Sequence, residues 1–362
     1  MKKTSLITLA LALSLSMNAQ KYTSYLFAFF SNNSPEGEQI RFAISDDGFN
    51  YRSLNDGKPV VASDTIALKK SIRDPHIMRA QDGKTFYMVL TDMRSDEGWQ
   101  SNDGLILMKS KDLIHWEHTA IDFPTRFPHL KGFDRQNLHA VWAPQTIWDP
   151  VEKKYMIYYS IGRHDWEYET NDWEVNRQTG ERKKFFQPYF KLFYSYANED
   201  FTDITEPQLL FDFGKASIDG DIVYDEANKE YVLFFKDEGR SVNNPAGPDG
   251  SWQTRQGVMR ATSKNPTGPY ATEWKHLQKP GQYPVEGSSV FPLIKKSKKE
   301  PTQYILMYDC YINGFYQFCQ GDLTHFDYVK DTPTQGNFTP RHGSVIQITD
   351  KERKRLEQHF GY

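Results

Sequence analysis

Two cysteines in 362 residues exclude a disulfide framework as the organising principle of this chain. They also exclude a thiol-based zinc module, and the ten histidines show no ligand-like pairing with cysteine or carboxylate along the sequence. There is no surplus of charge of one sign. Lys and Arg number 44 against 47 Asp and Glu, which argues against nucleic acid or anionic lipid as a partner. The Gly-rich stretch Asn243 to Gly250 lacks the Lys-Ser/Thr of a phosphate loop and reads as an ordinary loop. Long apolar runs are missing beyond the amino terminus. There, Lys2 and Lys3 precede a short apolar stretch from Leu6 to Leu15 and a small residue at Ala19. That is the pattern of a cleaved signal peptide over residues 1–20, too short to span a bilayer. No Cys stands at the cleavage point, so the expectation is a periplasmic or secreted protein without membrane insertion, with residues 21–362 as one domain.

Aromatic residues are abundant at 15%, as suits many short strands. Five segments share an aromatic and aliphatic run with a polar end. They are Tyr25 to Ser31, Thr85 to Asp92, Lys154 to Ser160, Glu230 to Asp237 and Gln303 to Asp309. Each reads as a buried strand. A second set of strands follows the first and leads into polar turns that end on an aromatic. A third set precedes it, beginning at Asp74, Trp142, Asp219, Glu286 and His342. The two ends are out of phase. Tyr25 has no strand before it, and the strand from His342 to Ile348 has none after it. Pairing the two closes a ring without an exposed edge. The expectation is an all-β, five-bladed propeller, with a helix after the capping box formed by Thr349 and Glu352. In the fourth blade, Asn313-Gly314 predicts a two-residue hairpin turn. That turn would set Cys310 opposite Gln317 and Cys319 opposite Tyr308, diagonal positions about 7–8 Å apart, too far for a disulfide.

In a propeller the first strands line the axis and start at one mouth, so Asp74, Trp142, Asp219, Glu286 and His342 would share one polar pocket. Three carboxylates there suit cleavage of a sugar–sugar bond. One activates water, a second stays protonated to serve the leaving oxygen, and a third raises the pKa of that acid.

The order D-P-H-I, W-A-P-Q, I-D-G-D-I-V-Y-D, E-G-S-S-V-F and H-G-S-V resembles glycoside hydrolase family 43 over essentially the whole mature chain. The resemblance implies inversion at the anomeric carbon, with Asp74 as base, Asp219 as pKa modulator and Glu286 as acid. It implies a plant-type oligosaccharide or polysaccharide as substrate, with α-L-arabinofuranosides first and β-xylosides or galactans as alternatives. No cofactor is required. A structural calcium ion on the axis, held through water by His342, is what some members of that family carry. Gln145 stands where the family often has an acid, and Asp221 competes with Asp219 for the modulator role. Trp142, Gln145, Arg240, His342 and Trp166 are the candidate substrate contacts, the last in a long charged loop from Arg163 to Phe186. A monomer is expected. The alternatives are a retaining fructosidase, with its carboxyl pair about 5–5.5 Å apart, and a non-catalytic sugar-binding propeller.

Overall fold

Burial on both faces of the second strand in each repeat dictates the architecture. In Tyr22–Phe29, Leu26 and Ala28 pack to one side while Phe27 and Phe29 pack to the other. In Phe86–Asp92, Met88 and Leu90 face one way and Tyr87 and Val89 the opposite way. A strand that alternates in this manner and is apolar throughout must lie between two sheets. The computed structural model describes residues 21–175, 180, 182–187, 189–238, 257–273, 275–277, 284–297 and 299–362. Residues 1–20, where the signal peptide is expected, lie outside that set.

The chain forms five antiparallel four-stranded sheets. Blade 1 runs from Ile72–Arg79 through Phe86–Asp92 and Gly104–Ser110 to Trp116–Asp122. Blade 2 uses Leu138–Asp149, Lys154–Arg163, Lys191–Tyr196 and Gln208–Phe211. Blade 3 uses Ser217–Asp225, Glu230–Asp237, Val258–Ser263 and Ala271–Thr272. Blade 4 uses Glu286–Pro292, Tyr304–Cys310, Phe315–Gly321 and Phe326–Pro333. Blade 5 is assembled from both ends of the chain. Gly343–Thr349 pairs with Tyr22–Phe29, Phe27 opposite Val345, and Arg41–Ser45 and Tyr51–Ser53 complete the sheet. The ring closes as the sequence predicts. Five apolar clusters fill the five gaps between neighbouring blades.

The helix Asp350–Phe360 begins at the predicted capping box, with Thr349 accepting from Glu352 N and Glu352 reaching back to Thr349 N. Its Leu356 enters the cluster between blades 5 and 1, and Glu352 receives both arms of Arg79 at 2.7 and 2.9 Å. The segment expected as a rim loop from Arg163 is built differently. After a single turn at His164–Trp166, the chain forms an added hairpin, Tyr168–Val175 with Arg182–Gln187.

The hairpin at Asn313-Gly314 also differs. Cys310 pairs with Phe315 and Cys319 with Leu306, a register two residues away from a two-residue turn. Asn313 and Gly314 both donate to Cys310 O, so the turn has four residues, with Gly314 at φ 70°. Both cysteines are buried free thiols.

Four of the five inner strands share one irregularity. Pairing jumps from Arg73–Thr91 to His76–Val89, from Trp142–Ser160 to Gln145–Tyr158, from Ile218–Lys236 to Asp221–Phe234, and from Glu286–Asp309 to Ser289–Met307. Each is a bulge of two residues against one, which bends the strand and re-aims a side chain. The first bulged residue has positive φ every time: Asp74 at 52°, Ala143 at 47°, Asp219 at 53° and Gly287 at 59°. The equivalent positions are therefore Asp74, Ala143, Asp219 and Gly287. Trp142 and Glu286 sit one residue earlier, level with Arg73 and Ile218. The expectation that all the starting residues occupy one blade position is corrected by this offset.

Candidate active site

Below the bulges, the inner strands are tied together from blade to blade. Ser344 Oγ accepts from Ile77 N at 2.7 Å, and His76 Nδ1 accepts from Thr146 N at 3.1 Å. Tyr158 OH accepts from Ile222 N at 2.8 Å, and Asp221 Oδ2 accepts from Val290 N at 2.6 Å. These amides stand at equivalent places in four successive blades, three residues after each bulge in blades 1 to 4. A buried N–H without a partner is costly, so each blade supplies an acceptor to the next. Burial pushes the His76 imidazole down to about 3, which keeps Nδ1 free to accept. Burial likewise pushes Asp221 up to about 7, against the Val290 hydrogen bond. Gln145 belongs to the same layer. It is buried, and Tyr158 donates to its Oε1 at 3.2 Å.

Above this layer the bulges aim Asp74 and Asp219 into an axial pocket whose walls include Gln145, Gly287 and His342. The strain of a positive φ at a non-glycine residue, of order 1–3 kcal/mol, is thus concentrated where the carboxylates must point inward. His342 lies between the blades at the centre. Its Nε2 is 2.5 Å from Asp74 Oδ1 and its Nδ1 is 3.7 Å from Glu286 Oε1. Thr91 donates to Asp74 Oδ2 at 2.7 Å and accepts from Ala143 N at 2.8 Å. Asp219 Oδ2 accepts the backbone N–H of Gly287 at 3.0 Å. Gly287 has no room for a side chain, because a Cβ there would stand 1.8 Å from His342 Cβ.

The charges divide unevenly. Burial opposes ionisation of Asp74, but the His342 imidazolium, reinforced by Arg73 and the Thr91 hydroxyl, holds its carboxyl below the usual range. Burial raises Asp219, and the nearby Glu286 charge adds to the rise against the pull of His342. Burial would lower His342, but Asp74, Asp219 and Glu286 carry it up to about 8, so it is a cation at neutral pH.

Glu286 departs from expectation. Lys236 donates to Oε2 at 2.9 Å and Arg341 contacts Oε1. Against the cost of burial, Lys236, His342 and Arg341 hold this carboxyl well below its ordinary value. Its two cationic partners favour the carboxylate form, whereas the acid role expected of it needs a proton. Lys236 is itself buried, and it also meets Glu238 at 2.8 Å. Arg341 bridges Glu286 to Asp309, a buried carboxyl pushed up to about 6 by its burial.

Lys236, Arg341, Thr91 and Asp309 were not singled out from sequence. Three of them lie at the polar ends of the second strands, a feature already visible in the repeats, and Arg341 directly precedes His342. Trp142 is half-buried with one face stacked on Phe190 at 4.5 Å and does not line the axial pocket. Trp166 is taken up in packing on blade 2. It stacks on Phe193, with the Arg163 and Lys191 cations over its ring, and is not a wall of the axial pocket. Arg240 lies outside the described residues. Glu286, Asp309 and His342 bring three potential ligand atoms within 4.8 Å. Arg341 already bridges the two carboxylates and His342 is itself positive, so these residues do not fit a calcium ion.

Acidic side chains gathered round one imidazole inside a five-bladed ring suit the hydrolysis of glycosides, and the family match places the protein among the glycoside hydrolases. The chain belongs to the glycosyl hydrolase 43-related family, whose model, described as a "Probable glycosyl hydrolase domain", matches residues 20–354. An α-L-arabinofuranosidase of Bifidobacterium longum subsp. longum is 26% identical over 302 residues, 79% of this chain. The match spans only 27% of that longer relative. Among solved structures, an exo-1,5-α-L-arabinanase from a bovine ruminal metagenomic library has a TM-score of 0.52 at 13% identity, covering 86% of this chain and 95% of its own. A GH43_1 enzyme from Xanthomonas citri has a TM-score of 0.51 at 14% identity, covering 79% and 80%. At these identities the two structures share the fold.

Proposed function

We propose that the protein is an exported exo-glycosidase that removes terminal α-L-arabinofuranosyl groups from plant polysaccharide or oligosaccharide with inversion. The observation that carries this reading is the single imidazolium of His342 lying between Asp74 and Glu286. Two contacts and one ring lie between the carboxylates, a span that admits an inverting pair, and the anomer formed first separates this from the roughly 5–5.5 Å retaining geometry. Asp74 is the base. Held by His342 and Thr91 at the wall of the axial pocket, its carboxylate could take a proton from a water entering there. Asp219 is the modulator, because it fixes the backbone beside Glu286, whereas Asp221 is committed to Val290 one layer below.

Glu286 is the acid, and it has to gain a proton before it can act. Arg341 is shared with Asp309, so moving wholly onto Asp309 frees Glu286 while leaving the guanidinium paired. With one cation fewer and Asp219 still nearby, the carboxyl rises toward a working acid. The sugar comes from the name of the Bifidobacterium relative. Export rests on the basic and apolar pattern of residues 2–15. A monomer fits the scatter of large exposed apolar residues, Leu68, Val151 and Ile312, over different parts of the ring.

The test is a screen of aryl arabinofuranosides, xylosides and galactosides with Glu286→Gln as control, followed by NMR of the first-formed anomer. Hydrolysis of the arabinofuranoside with inversion is expected. Equal rates for wild type and Glu286→Gln would sink the mechanism. Binding of sugars without turnover would leave the sugar-binding propeller as the better reading.

A further inference from the structure

A second cluster of chemically capable side chains lies on blade 2, outside the carboxylate pocket. His139, near the start of Leu138–Asp149, is 4% exposed. His164 and Glu167 lie at either end of the turn that follows Lys154–Arg163. Their ligand atoms, one from each residue, all fall within 4.8 Å of one another. His164 Nδ1 is 2.9 Å from Glu167 Oε1, and His139 Nδ1 is 3.6 Å from the same oxygen. The two imidazole centroids are 4.9 Å apart. His164 and Glu167 stand three residues apart in the sequence, whereas His139 reaches them through the fold, by the antiparallel pairing of Leu138 with Arg163.

His139 supplies the observation that a hydrogen-bonded cluster leaves unexplained. Its Nδ1 is buried and, among the described residues, makes no hydrogen bond. A buried ring nitrogen beside a carboxylate and a second imidazole, yet left without a hydrogen-bond partner, is a costly arrangement unless something fills the gap. The separations of 2.9 and 3.6 Å bracket the ligand–ligand edge of about 3.3 Å that bonds of about 2.0–2.1 Å make in a tetrahedron.

The backbone fixes the turn in place. His164 N donates to Asn137 O at 2.9 Å, and Glu167 N donates back to His164 O, which holds the Glu167 carboxylate at His164 Nδ1. The neighbouring cation does not compete. Arg163 is turned onto Asp165 at 2.8 and 2.5 Å and onto Lys131 O at 3.2 Å.

We propose that His139, His164 and Glu167 form a site for a divalent transition-metal ion, zinc foremost. Two imidazoles and one carboxylate are borderline-soft donors that suit zinc and its neighbours, whereas calcium and magnesium take oxygen. Three protein ligands leave a fourth position for water. The metal would clamp the 164–167 turn to the inner strand, beside the Phe190 ring that stacks on Trp142 and meets His139 at 5.7 Å. Its role would thus be to hold the rim of the cleft, and it is independent of which sugar the axial pocket takes.

The experiment uses the untagged full chain, stripped with EDTA and dialysed. Zinc chloride is titrated by calorimetry, and cobalt(II) serves as the probe of coordination by visible absorption. One zinc per chain is expected, with a melting temperature that rises on addition of zinc. His164→Ala and Glu167→Gln, both at partly exposed side chains, should each weaken binding at least tenfold and remove the thermal shift. Calcium and magnesium should not displace cobalt. His139→Ala is informative only beside these two, because its site is buried. Absence of zinc and cobalt binding in the wild type overturns the proposal, and so does unchanged affinity in His164→Ala.

Discussion

The backbone N–H of Gly287 donates to Asp219 Oδ2 at 3.0 Å, so a carboxylate of blade 3 fixes the residue that follows Glu286 in blade 4. Glycine is required at this junction twice over. Its φ is 59°, and an added Cβ would meet His342 Cβ at 1.8 Å. Gly287→Ala therefore has to displace His342 from between Asp74 and Glu286. A loss of at least a hundredfold in kcat/KM is expected, about 2.7 kcal/mol or more of transition-state stabilisation, together with a lower melting temperature. Gly314→Ala is the control, since it has a similar φ of 70° and open space around it. It should cost stability of about 1 kcal/mol and leave activity unchanged.

His342 gives the pH dependence its sign on the alkaline side. Its pKa is raised from 6.5 to about 8 in the folded protein. Its contribution to stability is fully present below about pH 6.5 and is lost as pH rises through about 8. Melting temperatures measured from pH 6 to pH 9.5 should fall across that window, and His342→Asn should flatten the fall. Asp74 has the opposite sign. Its lowered pKa contributes stability above the ordinary carboxylate range, which is lost as pH drops through the folded value.

Asp221 is the reverse of a stabilising carboxylate. Burial raises its pKa from 3.8 to about 7, so the folded state prefers it protonated and stability declines as pH climbs between those values. Asp221→Asn keeps an oxygen to accept from Val290 N and removes the buried charge. The variant should melt a few degrees above wild type at pH 8, and the difference should close near pH 4. An equal difference at both pH values would contradict this account.

Arg341 sets the charge of Glu286. Arg341→Ala removes one of the cations that hold this carboxyl down, so its pKa should rise. The alkaline limb of the kcat/KM profile should then move to higher pH in the variant, even if the rate at the optimum falls by tenfold or more. A profile of unchanged shape would mean that Glu286 is not the group whose proton is used.

The ring and its closing strand were legible because five apolar runs with both faces buried leave a sequence few alternatives, and because the phase mismatch at the two ends has one simple solution. The helix was legible from Thr349 and Glu352 alone. The offset of Glu286 from Asp74 was harder to see. A bulge adds one residue to one strand, and hydrophobic alternation does not record it. The trace it does leave is the dipeptide at each bulge, Asp74-Pro75, Ala143-Pro144, Asp219-Gly220 and Gly287-Ser288, each carrying a Pro or Gly, residues unsuited to a regular central strand. The ionised state of Glu286 could not be read at all. It depends on Lys236 of blade 3 and on Arg341, just before the closing strand, which meet Glu286 of blade 4 only in the closed ring.

The strand that closes the ring carries His342 at its head, so completing the circle and placing the central cation are one event. Every other blade is synthesised before it. Until that strand pairs with Tyr22–Phe29, Asp74 and Glu286 lack their shared imidazole. A chain cut short before His342 would keep all three carboxylates and lose both the closing strand and the imidazole between two of them.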